Sequence, residues 1–191
     1  MSPRPRPSQP RLPLATELED KTAEWMAFVA GDDRPLNLYA TLAHNGRVFR
    51  RFTQLGGTLL SNGTLAARER EIVILRVGWN CQSVYEFGQH TVIGRRAGLS
   101  PEEIARLARP GTGGWDEGDA TLVLMADELC AGDCVSDGTW EALARRFHPG
   151  QLVELVVLAG YYRLVSGFLN SAGVELDPGV PDWPEGAVLP G

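Results

Sequence analysis

Lysine is almost missing from this sequence: Lys21 is the single lysine among 18 basic residues, the others all being arginine. The imbalance fits GC-rich coding and carries no mechanistic weight. Positive charge is scarce overall, with a net charge of −6. That argues against a general nucleic-acid or anionic-membrane binder, because either needs an extended basic surface. The three cysteines, Cys81, Cys130 and Cys134, form an odd set that suits a reducing compartment better than a disulfide framework. Cys130 and Cys134, in ADELCAGDCVSD, have a spacing that is neither Cys-x-x-Cys nor a zinc pattern, so they are read as ordinary thiols and no metal is expected. The longest apolar run, around 152–160, falls short of the roughly 20 residues that a membrane span requires. The N-terminal MSPRPRPSQPRLP has no hydrophobic signal core. These absences together point to a cytoplasmic protein. Strand signals are missing too: there is no sustained alternation, no βαβ pattern and no Gly-rich phosphate loop, which removes the usual nucleotide-binding folds.

What is present is helical periodicity. With 191 residues, 43% of them hydrophobic and 22% charged, the chain is long enough for one globular core and too short for two ordinary ones. The expected organisation is a disordered Pro/Arg-rich leader over 1–14, one all-α domain over 15–175, and a Pro-rich tail over 176–191. In TELEDKTAEWMAFVAG, Thr16 is an N-cap candidate and Gly31 closes the segment. The next stretch breaks into two helices near Asn45-Gly46. LAAREREIVILRVGWN reads as a core helix, QSVYEFGQHTVIGRRAGL as a second one ended by Gly98, and LSPEEIARLA begins with Ser100, Pro101 and Glu103 in capping-box order. The long apolar helix within PGQLVELVVLAGYYRLVSGFLNSAG is expected at the centre of the bundle. Helices this apolar leave a surface for a second copy, so a homo-oligomer is expected.

The chemistry-bearing stretch is WNCQSVYEFGQH. On one helix over 82–98, Ser83, Glu86 and His90 share a face, and Glu86 and His90 are one turn apart. Glu71 lies among residues that should be buried, where a carboxylate is costly unless paired. A short connection around 80–82 packs the two helices antiparallel and turns Glu71 towards His90. Two carboxylates around an imidazole can supply a general acid and a general base near neutral pH. A Glu-x-x-x-His pair is also a common structural pair, so spacing alone does not establish an enzyme. Cys81 points away from the Ser83 face of a regular helix. His44 and the aromatic residues Tyr85, Trp79, Tyr161 and Tyr162 are candidates for the wall of a substrate site, although core packing accounts for such aromatics equally well.

The blocks REREIVILRVG, YEFGQH, RRAGLSPEEI and DELCAGDCVSDGTWEALARRF, followed by QLVELVVLAGYY, resemble the carboxymuconolactone decarboxylase / alkyl hydroperoxidase D superfamily. Its signature is a Glu, a Cys-x-x-Cys beginning twelve residues later, and a His four residues after the second Cys. Glu71 and His90 match the ends of that pattern, while Ser83 and Glu86 fall on the two Cys positions. The resemblance, strongest to the decarboxylase-like branch, implies an all-α fold that assembles as a dimer, trimer or hexamer. It also implies cofactor-independent proton transfer on a small or polycyclic lactone, carbonyl or carboxylated substrate. In that reading His90 donates or accepts the proton, Glu86 is its partner or a second acid/base, Glu71 orients it, and Ser83 contacts substrate. Two other readings stay open: a thiol peroxidase acting through Cys81, and a non-catalytic binding or scaffold protein on the same fold.

Overall fold

The computed structural model describes residues 5–31 and 33–190 of the chain. Among them the fold is all-α, without a strand. In chain order the helices are α1 (Asp20–Ala30), α2 (Asn37–Leu42), α3 (Gly46–Ser61), α4 (Ala67–Asn80), α5 (Val84–Arg96), α6 (Pro101–Leu107), α7 (Glu117–Gly132), α8 (Asp137–Ala144) and α9 (Pro149–Ala172).

Local sequence chemistry sets several of these boundaries. Asn45 ends the first part of the split region and caps α3 by accepting a hydrogen bond from the Val48 N–H. Ser100 accepts from the Glu103 N–H while the Glu103 carboxylate accepts from the Ser100 N–H, with Pro101 at the first helical position. α1 starts at Asp20 rather than beside Thr16, because the chain before it is drawn to α2: the Ala15 N–H donates to the Ala40 carbonyl at 3.1 Å.

The centre of the bundle is α4, not α9. Residues 71–79 are buried without interruption, and α5, α7 and α9 pack around them. Helix α9 buries one face but exposes Val153, Val157 and Leu164 on the other. It is long and apolar enough to cross a membrane by length and composition, yet 50% of its apolar window is buried against the protein's own body, as in a core helix.

Between α4 and α5 the chain reverses in three residues. Cys81 ends α4, Gln82 takes a left-handed φ of 49°, and Ser83 caps α5 in an extended conformation. The two helices then run antiparallel in close contact. A Cβ on Gly78 would stand 3.4 Å from the Phe87 nitrogen, in van der Waals contact with α5, so the two backbones run close together here.

Both chain ends lie against this pair. Residues 1–4 of the expected leader fall outside the described residues. From residue 5 the leader is non-helical and tied down: the Arg6 guanidinium donates to the Cys81 and Gln82 carbonyls, and the Arg11 N–H donates to the Ala172 carbonyl at 2.8 Å. The tail crosses α5 so closely that a Cβ on Gly88 would meet the Pro181 carbonyl at 2.3 Å. Trp183 packs on Phe87 with ring centroids 4.8 Å apart, and the Trp79 indole donates to the Val188 carbonyl at 2.9 Å.

One buried cation organises the α4–α7 contact. Arg76, 1% exposed, forms a two-pronged ion pair with Asp127, donates to the Leu107 and Arg109 carbonyls, and covers the Trp79 ring at 4.0 Å. Replacing Arg76 with Met keeps the volume but strands Asp127 and two carbonyls. Stability should fall by about 2–4 kcal/mol, read from urea denaturation, and a midpoint equal to wild type would refute the assigned role.

Candidate active site

Antiparallel packing of α4 and α5 sets Glu71 beside His90. The His90 Nδ1 is 2.6 Å from Glu71 Oε2, and its Nε2 is 3.1 Å from Glu86 Oε1, one turn earlier on α5. Arg70 Nε donates to the other Glu71 oxygen at 3.1 Å. The result is a row of alternating charge, Arg70–Glu71–His90–Glu86. Its last three members are 0%, 4% and 3% exposed. Burial pulls the His90 pKa down, but the Glu71 carboxylate and then Glu86 outweigh it and lift the value from 6.5 to about 10. At neutral pH the ring is therefore an imidazolium held between two carboxylates.

The row opens on a cavity of about 540 Å³ at its Glu86 and His90 end, within the size range of small-molecule sites. Tyr39, Phe52, Tyr161 and Tyr162 supply much of its aromatic wall. Tyr162 meets the His90 ring edge-on at 4.9 Å. Burial, followed by the nearby Glu86 charge, pushes the Tyr39 and Tyr162 phenols up, so both stay protonated as neutral donors. Thr58, Ser61 and Asn62 from the end of α3 add polar groups.

The sequence-predicted site residues divide in two. Glu86, His90, Tyr85 and Tyr161 are on the cavity wall, and Glu71 is directly behind His90. Tyr85 turns its hydroxyl to the Asp177 carboxylate and accepts from the Leu38 N–H at 3.2 Å; Tyr161 donates to the Phe52 carbonyl at 3.0 Å. Ser83, Trp79 and His44 are not on the wall. Ser83 precedes α5 instead of joining its face, and its fully buried hydroxyl has no hydrogen-bond partner. Trp79 is packed between Arg76 and the tail. His44 is exposed, with Nε2 2.8 Å from the Pro13 carbonyl. Cys81 is also off the cavity; its sulfur contacts Cys130, and that hydrogen bond, with burial, pushes the Cys130 thiol up.

Sequence reasoning missed Arg70, Tyr39 and Gln89. Arg70 had a signal, as the residue adjoining Glu71 in RERE. Tyr39 had none, because only the fold of α2 against α3 and α5 brings it to the cavity. Gln89 donates to Asp177 at 2.8 Å, and Asp177 also accepts from the Asn37 N–H at 2.9 Å, so one tail carboxylate joins α2 to α5 beside the wall. Among the described residues no group of three or more His, Cys, Asp or Glu is arranged to hold a metal ion.

Residues 46–113 match the sequence model of the carboxymuconolactone decarboxylase family. They span α3 to α6, including Glu71, Glu86 and His90. No protein of curated function matches the sequence. Among solved structures, an alkylhydroperoxidase D core, described as an uncharacterized peroxidase-related protein from Ralstonia eutropha, superposes with a TM-score of 0.75 at 20% identity, covering 88% of this chain and 93% of that one. An uncharacterized peroxidase-related protein from Silicibacter sp. gives 0.76 at 14% identity over 92% and 95%. A debrominase in complex with 2,3,4-tribromopyrrole gives 0.71 at 11% identity over 89% and 95%. At these identities the likeness to the structures is one of fold.

The raised His90 pKa has a consequence for stability. Its charged form is favoured in the folded chain, so the contribution is complete below the ordinary value of 6.5 and is lost as pH rises through about 10. A His90→Gln variant lacks this titration. The difference in urea midpoint between wild type and variant should therefore shrink steadily across that window. A constant difference would show that His90 does not carry the proton assigned to it.

Proposed function

We propose, from the match of residues 46–113 to the family's sequence model and the fold shared with alkylhydroperoxidase D-like structures, that the chain is a member of the carboxymuconolactone decarboxylase / alkyl hydroperoxidase D superfamily and a cofactor-independent lyase or isomerase working by Glu/His proton transfer. The observation that carries the reading is the contact of His90 with two buried carboxylates, one of them on the wall of an aromatic cavity.

In this reading Glu86 meets the substrate. It takes a proton from an acidic carbon or oxygen next to a carbonyl, lactone or conjugated ring. His90, hydrogen-bonded to Glu86 through Nε2, supplies a proton at the same end of the cavity, and Glu71 with Arg70 holds the imidazolium in place. The neutral phenols of Tyr39 and Tyr162 are donors for the oxyanion that develops. Return of the proton to another carbon completes an isomerisation, and departure of a leaving group completes a lyase reaction. A role for Ser83 in substrate contact has no support from its buried position. A cytoplasmic homo-oligomer is part of the same reading, supported by the apolar stripe of Val153, Val157 and Leu164 that α9 leaves exposed.

The test is deuterium exchange in D2O at the acidic carbons of a panel of cyclic ketones and lactones, followed by NMR. His90→Gln and Glu86→Gln should each lower the rate by about a hundredfold or more with unchanged helical circular dichroism. A variant with all three cysteines changed to serine should match wild type. Undiminished exchange in both site variants would sink the reading, wild-type exchange no faster than in buffer alone would favour a catalytically silent scaffold, and loss in the cysteine variant would favour thiol chemistry.

A further inference from the structure

We propose that the cavity selects uncharged flat ring compounds, with a hydroxyl or an acidic C–H directed at Glu86 and a carbonyl oxygen at the Tyr39 and Tyr162 phenols, and rejects carboxylates. The inference deepens the proton-transfer reading by naming its substrate class, and it rests on the charge of the wall.

The chain has 17 arginines and one lysine, yet none of them is among the described residues lining the cavity. Arginines adjoining the lining residues have partners of their own: Arg34 donates to Asn37 and Arg51 to Gln54. Arg70 is held by Glu71, and Arg50 stacks over the Trp25 ring at 5.2 Å while lining a separate surface depression. Among the described residues the imidazolium of His90 is the only cation at the wall, and both of its nitrogens are engaged, one by Glu71 and one by Glu86. A substrate carboxylate would therefore shed its water without meeting a free cationic N–H, and would do so beside the Glu86 carboxylate. Burying an anion under those conditions is strongly unfavourable.

The polar groups of the wall point the same way. Tyr85 and Gln89 are committed to Asp177, and Tyr161 to the Phe52 carbonyl. Beside Glu86 and His90 the phenols of Tyr39 and Tyr162 remain, and both are neutral donors suited to a carbonyl or hydroxyl oxygen. The rest of the wall favours a planar guest. Tyr161 meets Phe52 at 5.0 Å and Tyr162 at 5.3 Å between ring centroids, with the pairs tilted and edge-on respectively. That presents both faces and edges of aromatic rings to the space between them.

The test compares two probes of nearly equal shape, 2-acetylnaphthalene and 2-naphthoate, by isothermal titration calorimetry of the full chain at neutral pH. The ketone should bind about tenfold or more tightly than the carboxylate. Glu86→Ala removes both the neighbouring negative charge and the acceptor of the His90 Nε2–H, so it should tighten naphthoate binding by about tenfold and narrow the preference for the ketone. Equal or tighter binding of naphthoate to wild type would overturn the proposal, as would failure of both probes to bind, or an unchanged naphthoate affinity in the variant. Because binding is the readout, the two levels can fail separately. A wild type that prefers the ketone but shows no proton exchange overturns the reaction and leaves the selectivity standing.

Discussion

The structure depends on a buried imidazolium shared by two carboxylates. Isolated in the interior, any one of these charges would be expensive. Together with Arg70 they form a row in which each charge faces its opposite, and the row needs both central helices at once: Glu71 comes from α4, His90 and Glu86 from α5. The antiparallel register of α4 and α5 is thus tied to the site's electrostatics. A slip of one residue would rotate Glu71 by about 100° around α4 and leave a carboxylate and an imidazolium unpaired in the core. Such a row adds little net stability compared with an apolar core, but it penalises alternative registers heavily.

The features around the row hold that register. Left-handed backbone at Gln82 reverses the chain in three residues, and Gly78 permits the helices to approach. Arg76 fixes the other side of α4 to Asp127 on α7. The tail, through Asp177, binds α2 to the cavity side of α5, while Trp183 and Val188 cover the N-terminal part of α5 and Trp79. Both chain ends therefore buttress the helix pair that carries the chemistry, rather than standing apart from the domain.

Much of this was legible in the sequence, and what was not has identifiable causes. Helical periodicity and capping residues located the elements around Asn45 and Ser100, because those signals are local. The pairing of Glu71 with His90 was legible because an acidic residue inside EIVILRV has to find a partner and the short connection limits where it looks. The central helix was misjudged, since uniform apolarity in α9 does not show which face will stay exposed, whereas α4 is buried despite its Glu71 and Arg76. Ser83 was placed on the α5 face by assuming a helix through 82–98. The positive φ of Gln82 breaks that assumption, and nothing in the residue type announces it. His44 and Trp79 failed for a similar reason: their partners, Pro13 and Val188, belong to terminal segments that carry no periodic signal.

Glu86 gives the site its particular character. It occupies a position where the superfamily's redox signature has a cysteine, and it changes the task of the histidine beside it. An imidazole facing a single carboxylate, in a buried setting, is subject to one favourable charge against desolvation. A second carboxylate one turn away adds to the larger effect of Glu71, and with both of them beside it His90 stays protonated up to about 10. An imidazolium that stable is a weak acid and no base at neutral pH, and both of its nitrogens are occupied. In the proposed reaction the role of base therefore falls to the carboxylate on the wall. Glu86 puts a carboxylate on the cavity wall, 3.1 Å from His90 Nε2. Among the described wall residues the charges of Glu86 and His90 face each other, which is the basis of the proposed preference for a neutral guest.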